Sequence, residues 1–445
     1  MAKTNTNTML DDDDTEANLS SGRDDAAALF SRKWKWRIVA VAIIAFLIKA
    51  TLAWVSSGTQ DVGTWEQFVA DVQVLGGIAL YHKPYTPTSF FNHPPFMLHF
   101  VQALGWIADV TGFPVRFCLR LAPSIADVGS AFVLWKIAFN RNKQRNTETG
   151  NANRQGVAPK TFSPQAFLLF VGLPTMIGIS GFHGNTDPIM MFFVLLSVLL
   201  LEGKKPIWMV GLAFGMSLSI KVASLVFVPV FLLFLQTPRR QIEYSICVVA
   251  TFICSGLPYL VQDPLFILHR VLSYGGQYGT WGISRLLQLA PELREMDSFQ
   301  HFGKQILLSA LILFSLWMNR NVRRSNAHKP DLLRQLALLI LLFFTVTPSF
   351  ATQYLAWVVP LMLALEMPAV VIFYTTSCIY VCFNYAVAWN WYSFHRLPSP
   401  LLDQILVSSE ILCWLSVVVL FIGETRLLAH ENQLSHAAES NASTA

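Results

Sequence analysis

The chain has 445 residues, of which 53% are hydrophobic and only 13% are charged. Soluble globular proteins carry about 25% charged residues, so this composition excludes an ordinary soluble domain. The formal net charge is +5, but the basic residues flank apolar blocks and therefore indicate membrane edges rather than a nucleic-acid surface.

The apolar blocks run for about 15 to 25 residues, the length of membrane-spanning helices. They show no strand-length alternation of apolar and polar residues, which argues against a β-barrel. The expected fold class is therefore all-α, a polytopic transmembrane helical bundle.

The chain begins with a polar segment, residues 1–31, that contains the run Asp11 to Asp14. Its composition predicts a disordered cytosolic tail, and it lacks the basic start and apolar core of a secretory signal peptide. Arg32 and Lys33 then mark the cytosolic edge of the first span. We place that span at 38–54, so that the chain emerges on the outer side.

Residues 57–116 are predicted to form a long first external loop that carries interfacial helices. Asp61 stands just after the first span, and Asn92-His93-Pro94-Pro95-Phe96 lies in the second half of the loop. The apolar stretch after Phe96 is short for a span of roughly 20 residues and suits a helix lying in the interface. This interpretation also places the basic stretch 141–160 in the cytosol.

The later basic loops assign the remaining spans to one consistent orientation. We place these spans at 117–139, 165–180, 188–201, two short helices within 206–236 broken around Lys221, one near 257, one ending at Arg320, and 332–347, 353–366, 369–386 and 402–422. The chain thus has about 12 spans in one membrane domain, 32–425, with an external loop at 262–300 and a cytosolic tail at 426–445. Gly211 and Gly215 form a G-x-x-x-G pattern that predicts close helix packing.

Polar residues that are unusual for a membrane protein collect at the predicted outer ends of the spans. Charges at membrane depth are costly and usually face a cavity or a partner, so the cluster predicts an external active site. Its members are Asp61, Asp71, His82, His93, Arg116, Arg120, His183, Asn185, Asp187, Arg285, Gln353 and Tyr354, with Lys221 inside a broken helix. The alternative for some of them is structural, as for a pair formed by Arg120 and Asp127.

The order of the motifs resembles that of a known enzyme superfamily. After Asp61 come NHPPF, RLAPSIAD, HGNTD, a Lys in SLSIKVASLVF, and TPSFATQYLAW. This order resembles the GT-C superfamily of integral membrane glycosyltransferases. It is especially similar to the dolichyl-phosphate-glucose-dependent glucosyltransferases of N-glycan assembly and to their bacterial polyprenyl-phosphate-sugar relatives.

The resemblance implies a GT-C-like fold and a role for each matching residue. Asp61 matches the catalytic base of the first external loop, and Lys221 matches the Lys of the family's F-K-Q-M segment. His183, Asn185 and Asp187 match H-F-Q-Y-N, while Arg120 and Asp127 match R-x-x-x-x-x-A-D. His93 replaces an acid and Asp187 replaces an amide, which leaves the acceptor contacts and the use of a metal ion open. The region beyond about 370 has no match.

The expected chemistry needs two kinds of side chain. A carboxylate such as Asp61 can take the proton of an acceptor hydroxyl, and a Lys or Arg can stabilise the departing lipid phosphate. Lys221 and Arg285 are the phosphate candidates, although Arg285 lies in a Gly/aromatic segment that could equally be an ordinary flexible loop. Candidates for acceptor or sugar contacts are His93, His183, Asn185, Asp187, Gln353 and Tyr354.

The predicted activity is inverting transfer of a sugar from a polyprenyl-phosphate donor to an acceptor hydroxyl on the extracytoplasmic side. The acceptor is a glycan, a lipid-linked molecule or a protein, and membrane lipid is a further partner. No nucleic acid and no metal site are expected, although the doubtful Asp187 leaves a divalent cation open as a cofactor. The membrane would be the plasma membrane of a bacterium or the endoplasmic reticulum of a eukaryote, with a lumenal site.

Two other classes of function stay open. A transporter or flippase of a lipid-linked sugar would also hold buried charges, but transporters often show matching broken helices in two halves, and only the segment at Lys221 is broken here. A non-catalytic membrane scaffold would leave the external cluster unexplained. The absence of a Walker loop or of a G-x-G-x-x-G after a strand argues against a nucleotide donor.

The predicted orientation can be tested by labelling introduced cysteines. A cysteine at Asn151 should react with a membrane-impermeant reagent only from the cytosolic side, and one at Gln277 only from the outer side, because the basic loops fix the cytosolic face. Labelling is measured in sealed vesicles of each orientation, with the parent chain as background. Reversed labelling at either position would contradict the orientation.

Overall fold

The structure, a computed structural model, describes residues 30–83, 91–149, 162–273, 276–290, 292, 298–324, 331–388 and 399–444. This part of the chain is a helical bundle with one two-stranded antiparallel ribbon. The predicted fold class, an all-α polytopic bundle, is confirmed. Most of the predicted N-terminal tail, residues 1–29, lies outside the described residues.

The first half of the chain contains a long helix, three helices in the predicted first loop, and a group that ends in a π-helical turn. These elements are α1 (Arg32–Val55), α2 (Gln60–Leu75), α3 (Gly77–His82), α4 (Phe96–Thr111), α5 (Val115–Thr149), α6 (Pro164–Val171), α7 (Pro174–Ile177), the π-helical turn (Gly178–His183) and α8 (Asp187–Glu202). The segment 57–116 therefore carries helices, as expected.

The second half contains several short or broken helices between longer ones. These elements are α9 (Ile207–Ile220), a 3-10 helix (Val222–Phe227), α10 (Val228–Leu235), α11 (Pro238–Leu260), α12 (Pro264–Leu272), β1 (Gln277–Tyr278), α13 (Gly282–Leu289), α14 (Phe299–Arg324), α15 (Leu332–Val346), β2 (Ser349–Phe350), a 3-10 helix (Thr352–Tyr354), α16 (Leu355–Val358), a 3-10 helix (Leu361–Ala364), α17 (Met367–Ala388) and α18 (Ser399–Thr444). Gln277 of β1 pairs with Phe350 of β2, which joins the predicted loop 262–300 to the segment before α16.

Seven helical segments of the described chain are long and apolar enough to cross a membrane. They are α1, α5, the run Pro164–His183, α11, α14, α17 and α18. The other predicted spans correspond to the shorter helices α8, α9, α10, α15 and the broken run Thr352–Ala364. The helix α4, which the sequence predicts to lie in the interface, has 16 residues and also belongs to these shorter apolar helices. The expectation that only the segment at Lys221 is broken is wrong, because the run Thr352–Ala364 in the second half consists of two 3-10 helices around a short α-helix.

The break predicted around Lys221 is present. Lys221 ends α9 in an extended conformation, and the chain continues as a 3-10 helix before α10 begins at Val228. Close packing at the G-x-x-x-G pattern is also present, between α9 and α11. A Cβ on Gly211 would lie 2.6 Å from Cys247 Cβ, and one on Gly215 would lie 2.5 Å from Thr251 Cβ.

The predicted structural pair of Arg120 and Asp127 is wrong, because the two side chains bond to other residues and not to each other. Lys49 of α1 and the hydroxyl of Ser180 both donate hydrogen bonds to Asp127, whereas Arg120 bonds to the end of α1. Seven residues along one helix correspond to a rise of about 10 Å, so the two residues lie about two turns apart. The buried Lys49–Asp127 pair instead joins α1 to α5.

A second ion-pair cluster lies at the predicted cytosolic end of the bundle. Arg141 of α5 forms a bidentate pair with Glu202 of α8 and another with Asp331 at the start of α15. The predicted tail, 426–445, begins as a continuation of α18, since that helix runs to Thr444. Arg334 donates to Glu431 at 2.6 Å and so ties this continuation to α15.

We expect the Lys49–Asp127 pair to behave as a coupled unit in stability measurements. Lys49→Met or Asp127→Leu alone should destabilise the fold by about 3 kcal/mol, because each leaves a buried charge without its partner. The double variant should recover much of this loss, since it removes both charges. Thermal unfolding in detergent measures all four proteins, and additive losses in the double variant would contradict the pairing.

Candidate active site

One polar cavity of about 560 Å³ lies where the helices of the first loop meet the second half of the bundle. Seven of the predicted site residues line it: Asp61, His93, His183, Asn185, Lys221, Arg285 and Gln353. They come from six separate parts of the chain, so only the fold brings them together. Their chemical roles stay predictions.

Asp61 lies in the first turn of α2 and receives two hydrogen bonds on one oxygen. Its Oδ2 is 2.9 Å from His183 Nε2 and accepts from Asn185 Nδ2 at 3.0 Å. The residue that precedes α2 is Thr59, so Asp61 is not the helix cap that it could have been from its sequence position. The N-terminal end of α2 also favours its negative charge.

Two glycines and a buried arginine fix the segment that carries Asp61 against the segment that carries His183 and Asn185. Gly58 and Gly184 have φ of +78° and +73°, which side chains rarely adopt. A Cβ on Gly184 would lie 2.6 Å from Arg120 Cγ, and one on Gly58 would lie 2.8 Å from Phe182 O. Arg120 itself donates to Ala53 O, Ser56 O and Ser56 Oγ at 2.6–2.7 Å. These contacts fix the end of α1 beside the turn that carries His183.

The electrostatic surroundings keep Asp61 ionised and His93 neutral. Burial raises the pKa of Asp61, but the hydrogen bond and positive charge of His183, the bond from Asn185 and the charge of Lys221 together lower this pKa to about 2. Burial lowers the pKa of His93 to about 3, and the charge of Lys221 adds to the effect. His93 lies against Trp65, with ring centroids 4.7 Å apart.

Lys221 belongs to a buried charge pair at the wall of the cavity. Its Nζ donates to both oxygens of Asp187, at 3.0 and 2.8 Å, and Trp357 Nε1 donates to the same carboxylate. Lys221 Nζ also lies 5.1 Å from the centre of the Tyr354 ring, which stacks on Trp357. Asp187 and Tyr354 therefore support Lys221 from behind and are not among the residues that line the cavity.

Arg285 and Glu410 meet on another part of the lining. Arg285 Nη1 donates to Gly279 O at 3.3 Å, and its Nε lies 3.6 Å from Glu410 Oε1. Thr352, Tyr380 and Asn384 also line the cavity, and the Thr352 hydroxyl is within hydrogen-bond distance of the other two side chains. The cavity thus carries paired charges and neutral hydrogen-bonding groups.

Sequence reasoning missed the part of the lining that α17 and α18 contribute. Tyr380, Asn384 and Glu410 lie beyond the region that the motif resemblance covers. Glu410 could have been found, because an acid within a strongly apolar span is costly and usually functional. Tyr380 and Asn384 carry no comparable signal, since hydroxyl and amide side chains are common in packed membrane helices.

The described residues contain no group of three or more His, Cys, Asp or Glu side chains arranged to hold a metal ion. Asp187, the doubtful candidate, has both oxygens bonded by Lys221 and one also by Trp357. A carboxylate that already accepts three hydrogen bonds in a fully buried position has little capacity left for a cation. The residues present therefore do not fit a metal site at Asp187.

The bundle and its cavity define a multi-pass membrane protein with a polar internal site. Comparison with known families identifies it further: the model of the PIG-U family, described as GPI transamidase subunit PIG-U, matches residues 39–349. Because this match spans more than half of the chain, the chain belongs to the PIG-U family. Among curated proteins no match is found.

Among solved structures, the following one is similar to this chain in its backbone fold. It is ArnT from Cupriavidus metallidurans bound to undecaprenyl phosphate, with 14% sequence identity and a TM-score of 0.46. The alignment covers 90% of this chain and 78% of that chain.

The ionisation of Asp61 should be visible in the pH dependence of stability. Its folded-state pKa of about 2 lies below the ordinary value of 3.8, so its stabilising effect is complete above that ordinary value and is lost as the pH falls towards 2. The difference in melting temperature between the parent and Asp61→Asn should be constant from about pH 8 to pH 5 and should narrow only below about pH 4. Narrowing near pH 6 would assign the effect to another titrating group.

Proposed function

We propose that this protein transfers a sugar from a polyprenyl-phosphate-linked donor to an acceptor hydroxyl, with Asp61 as the general base. The observation that carries the proposal is the single cavity in which an ionised carboxylate, held by His183 and Asn185, shares its lining with Lys221 and Arg285. A base and a cationic group are the two elements that this displacement requires. The motif order that resembles the GT-C glycosyltransferases supports the same assignment.

In the proposed reaction, the acceptor oxygen attacks the anomeric carbon of the donor sugar. The new C–O bond forms as the bond between that carbon and the phosphate oxygen breaks, and the acceptor proton passes to Asp61. The lipid phosphate leaves with the electron pair of the broken bond. A single displacement of this kind inverts the configuration at the anomeric carbon.

The two carboxylate oxygens of Asp61 have different roles in the proposed reaction. Oδ2 accepts from His183 and Asn185, and these bonds orient the carboxylate. Oδ1 accepts no hydrogen bond within the described part of the chain, and the side chain is 42% exposed, so Oδ1 is available to the acceptor hydroxyl. Because a pKa of about 2 makes a weak base, the proton moves only as the attack on the sugar acidifies the hydroxyl.

The cations of the cavity differ in how fully they are neutralised. Lys221 is paired with Asp187 through both carboxylate oxygens, whereas Arg285 faces Glu410 at a distance too long for a hydrogen bond. Nη2 of Arg285 forms no hydrogen bond within the described part of the chain and is therefore the donor left for a phosphate group. Lys221 contributes its positive charge from the wall of the cavity.

Membership of the PIG-U family favours a second candidate function. A family described as a GPI transamidase subunit suggests that the chain is a subunit of a membrane complex, in which the cavity would bind a lipid-linked glycan without transferring its sugar. The transferase and the subunit differ in what the purified chain does alone. Consumption of a donor by the isolated chain supports the transferase.

The experiment uses the purified chain in lipid nanodiscs with a panel of radiolabelled polyprenyl-phosphate sugars and a mixture of glycan acceptors. Release of polyprenyl phosphate and appearance of a labelled product are scored, with and without EDTA to test for a divalent cation. Binding without release favours the subunit. Movement of intact donor across the membrane of a proteoliposome favours the flippase.

Asp61→Asn should abolish most of the transfer while leaving the fold intact. Asparagine keeps the shape of the side chain and can still accept from Asn185, but it cannot take the acceptor proton. We expect the transfer rate to fall by about two orders of magnitude or more, the usual effect of a missing general base, with donor binding nearly unchanged.

The matched control is Asp71→Asn on the same helix. Asp71 bonds to Gln67 and Lys83 and is not among the residues that line the cavity, so its loss should affect stability more than transfer. Turnover of Asp61→Asn at close to the parent rate would contradict the assignment of the base.

A further inference from the structure

Arg285 and Glu410 form an unusual pair, because two buried atoms of opposite hydrogen-bonding type face each other without a bond. Arg285 Nε and Glu410 Oε1 are 3.6 Å apart, which is beyond hydrogen-bond distance. Neither atom has a hydrogen-bond partner among the described residues. Glu410 is only 7% exposed, although it lies in the membrane-length helix α18, where an acid is costly.

Both side chains line the cavity that contains Asp61, whereas Arg285 Nε and Glu410 Oε1 themselves are covered by their neighbours, so a bound molecule reaches these two atoms when the two side chains move apart. The hydrogen-bond donor Arg285 Nε and the hydrogen-bond acceptor Glu410 Oε1 together determine which chemical group of a ligand can bind between them. A phosphate oxygen would satisfy Arg285 Nε but would be repelled by Glu410. An ammonium group would satisfy Glu410 but would be repelled by Arg285. A hydroxyl group both accepts and donates, and it can lie within hydrogen-bond reach of both atoms at once.

We propose that Arg285 and Glu410 form a subsite that binds one hydroxyl group of a sugar. Arg285 Nε donates to the hydroxyl oxygen, and the hydroxyl donates its proton in a hydrogen bond to Glu410 Oε1. This inference rests on the proposed function for the identity of the substrate and deepens it by naming a selectivity element. Nη1 of Arg285 stays directed to Gly279 O, and Nη2 stays available to the phosphate of the donor.

The rest of this part of the lining has the character of a carbohydrate site. Thr352, Tyr380 and Asn384 supply neutral donors and acceptors, while the Trp65 and Phe350 rings that also line the cavity are almost fully buried. Pockets that orient a small molecule combine such apolar walls with a few placed polar groups. Glu410 lies outside residues 39–349, which the family model matches, so the subsite includes a part of the chain to which that family match assigns nothing.

The hydroxyl could belong to the donor sugar or to the acceptor glycan. In either case, a sugar that lacks it leaves two buried polar atoms without partners, and sites built to bind a hydroxyl strongly reject such analogues. Loss of one hydrogen bond to a charged group lowers the binding affinity or the transfer rate by roughly ten- to hundredfold. The subsite should therefore select by the presence and direction of one hydroxyl.

The first test measures sugar binding and does not depend on catalysis. Free monosaccharides at high millimolar concentration should raise the melting temperature of the parent, since a ligand that binds the folded state stabilises it. The shift should disappear in Glu410→Met and return in part in Glu410→Gln, which keeps a neutral acceptor. Asp403→Asn, an exposed acid on the same helix, is the matched control and should shift like the parent.

The second test measures transfer with monodeoxy analogues of whichever sugar the parent uses. One deoxy position should cost the parent roughly ten- to hundredfold in rate, and Glu410→Met should add little to that loss, because both changes remove the same bond. A deoxy effect on donor release with water as acceptor assigns the hydroxyl to the donor. An effect seen only in the KM of the acceptor assigns it to the acceptor.

The proposal is overturned if no monosaccharide of the panel shifts the parent, or if parent and Glu410→Met shift equally, because the pair would then hold a water molecule only. The proposal is also overturned if, for every deoxy analogue, the loss of rate in Glu410→Met multiplies the loss caused by the missing hydroxyl, because the two changes would then remove different interactions. If the parent consumes no donor but its sugar-dependent shift is lost in Glu410→Met, the proposed transferase function fails while the hydroxyl subsite stands.

Discussion

The site depends on a buried arginine that ties three segments together. Arg120 is fully buried, and its guanidinium donates to the carbonyl groups of Ala53 and Ser56 and to Phe182 O. The last carbonyls of a helix have no partner within the helix, so this one side chain satisfies the end of α1 inside the protein. Because Asp61 follows five residues after Ser56, and His183 follows Phe182, the same contacts bring Asp61 to its hydrogen-bond donors.

The charged groups of the cavity are arranged as pairs of differing strength. Lys221 and Asp187 form a tight pair that Trp357 supports, Asp61 is held by His183 and Asn185, and Arg285 faces Glu410 without a hydrogen bond. A buried pair with good geometry is costly to disturb, so the tight pair gives the wall a fixed shape. The loose pair is the place where a ligand can add hydrogen bonds that the protein alone does not make.

The family match and the cavity cover different parts of the chain. The family match covers residues 39–349 and thus includes Asp61, His183, Asn185, Lys221 and Arg285. The cavity adds Tyr380, Asn384 and Glu410 from the two helices that follow. A subunit that only binds a lipid-linked glycan would also use this cavity, and we favour the transferase because an ionised carboxylate shares the lining with Lys221 and Arg285.

The sequence by itself determined the helical membrane class, the helices of the first loop, the break at Lys221 and seven residues of the polar lining. These features are local, since they depend on the length of apolar runs and on polar residues that are costly within them. Only the tertiary structure decided which charged side chains pair with each other and which of them reach the cavity. Asp127 pairs with Lys49 instead of Arg120, Asp187 lies behind Lys221, and Glu410 reaches the cavity from the last helix. Pairings of this kind join residues distant in sequence, and helix packing, which a single sequence does not display, sets which side chains meet.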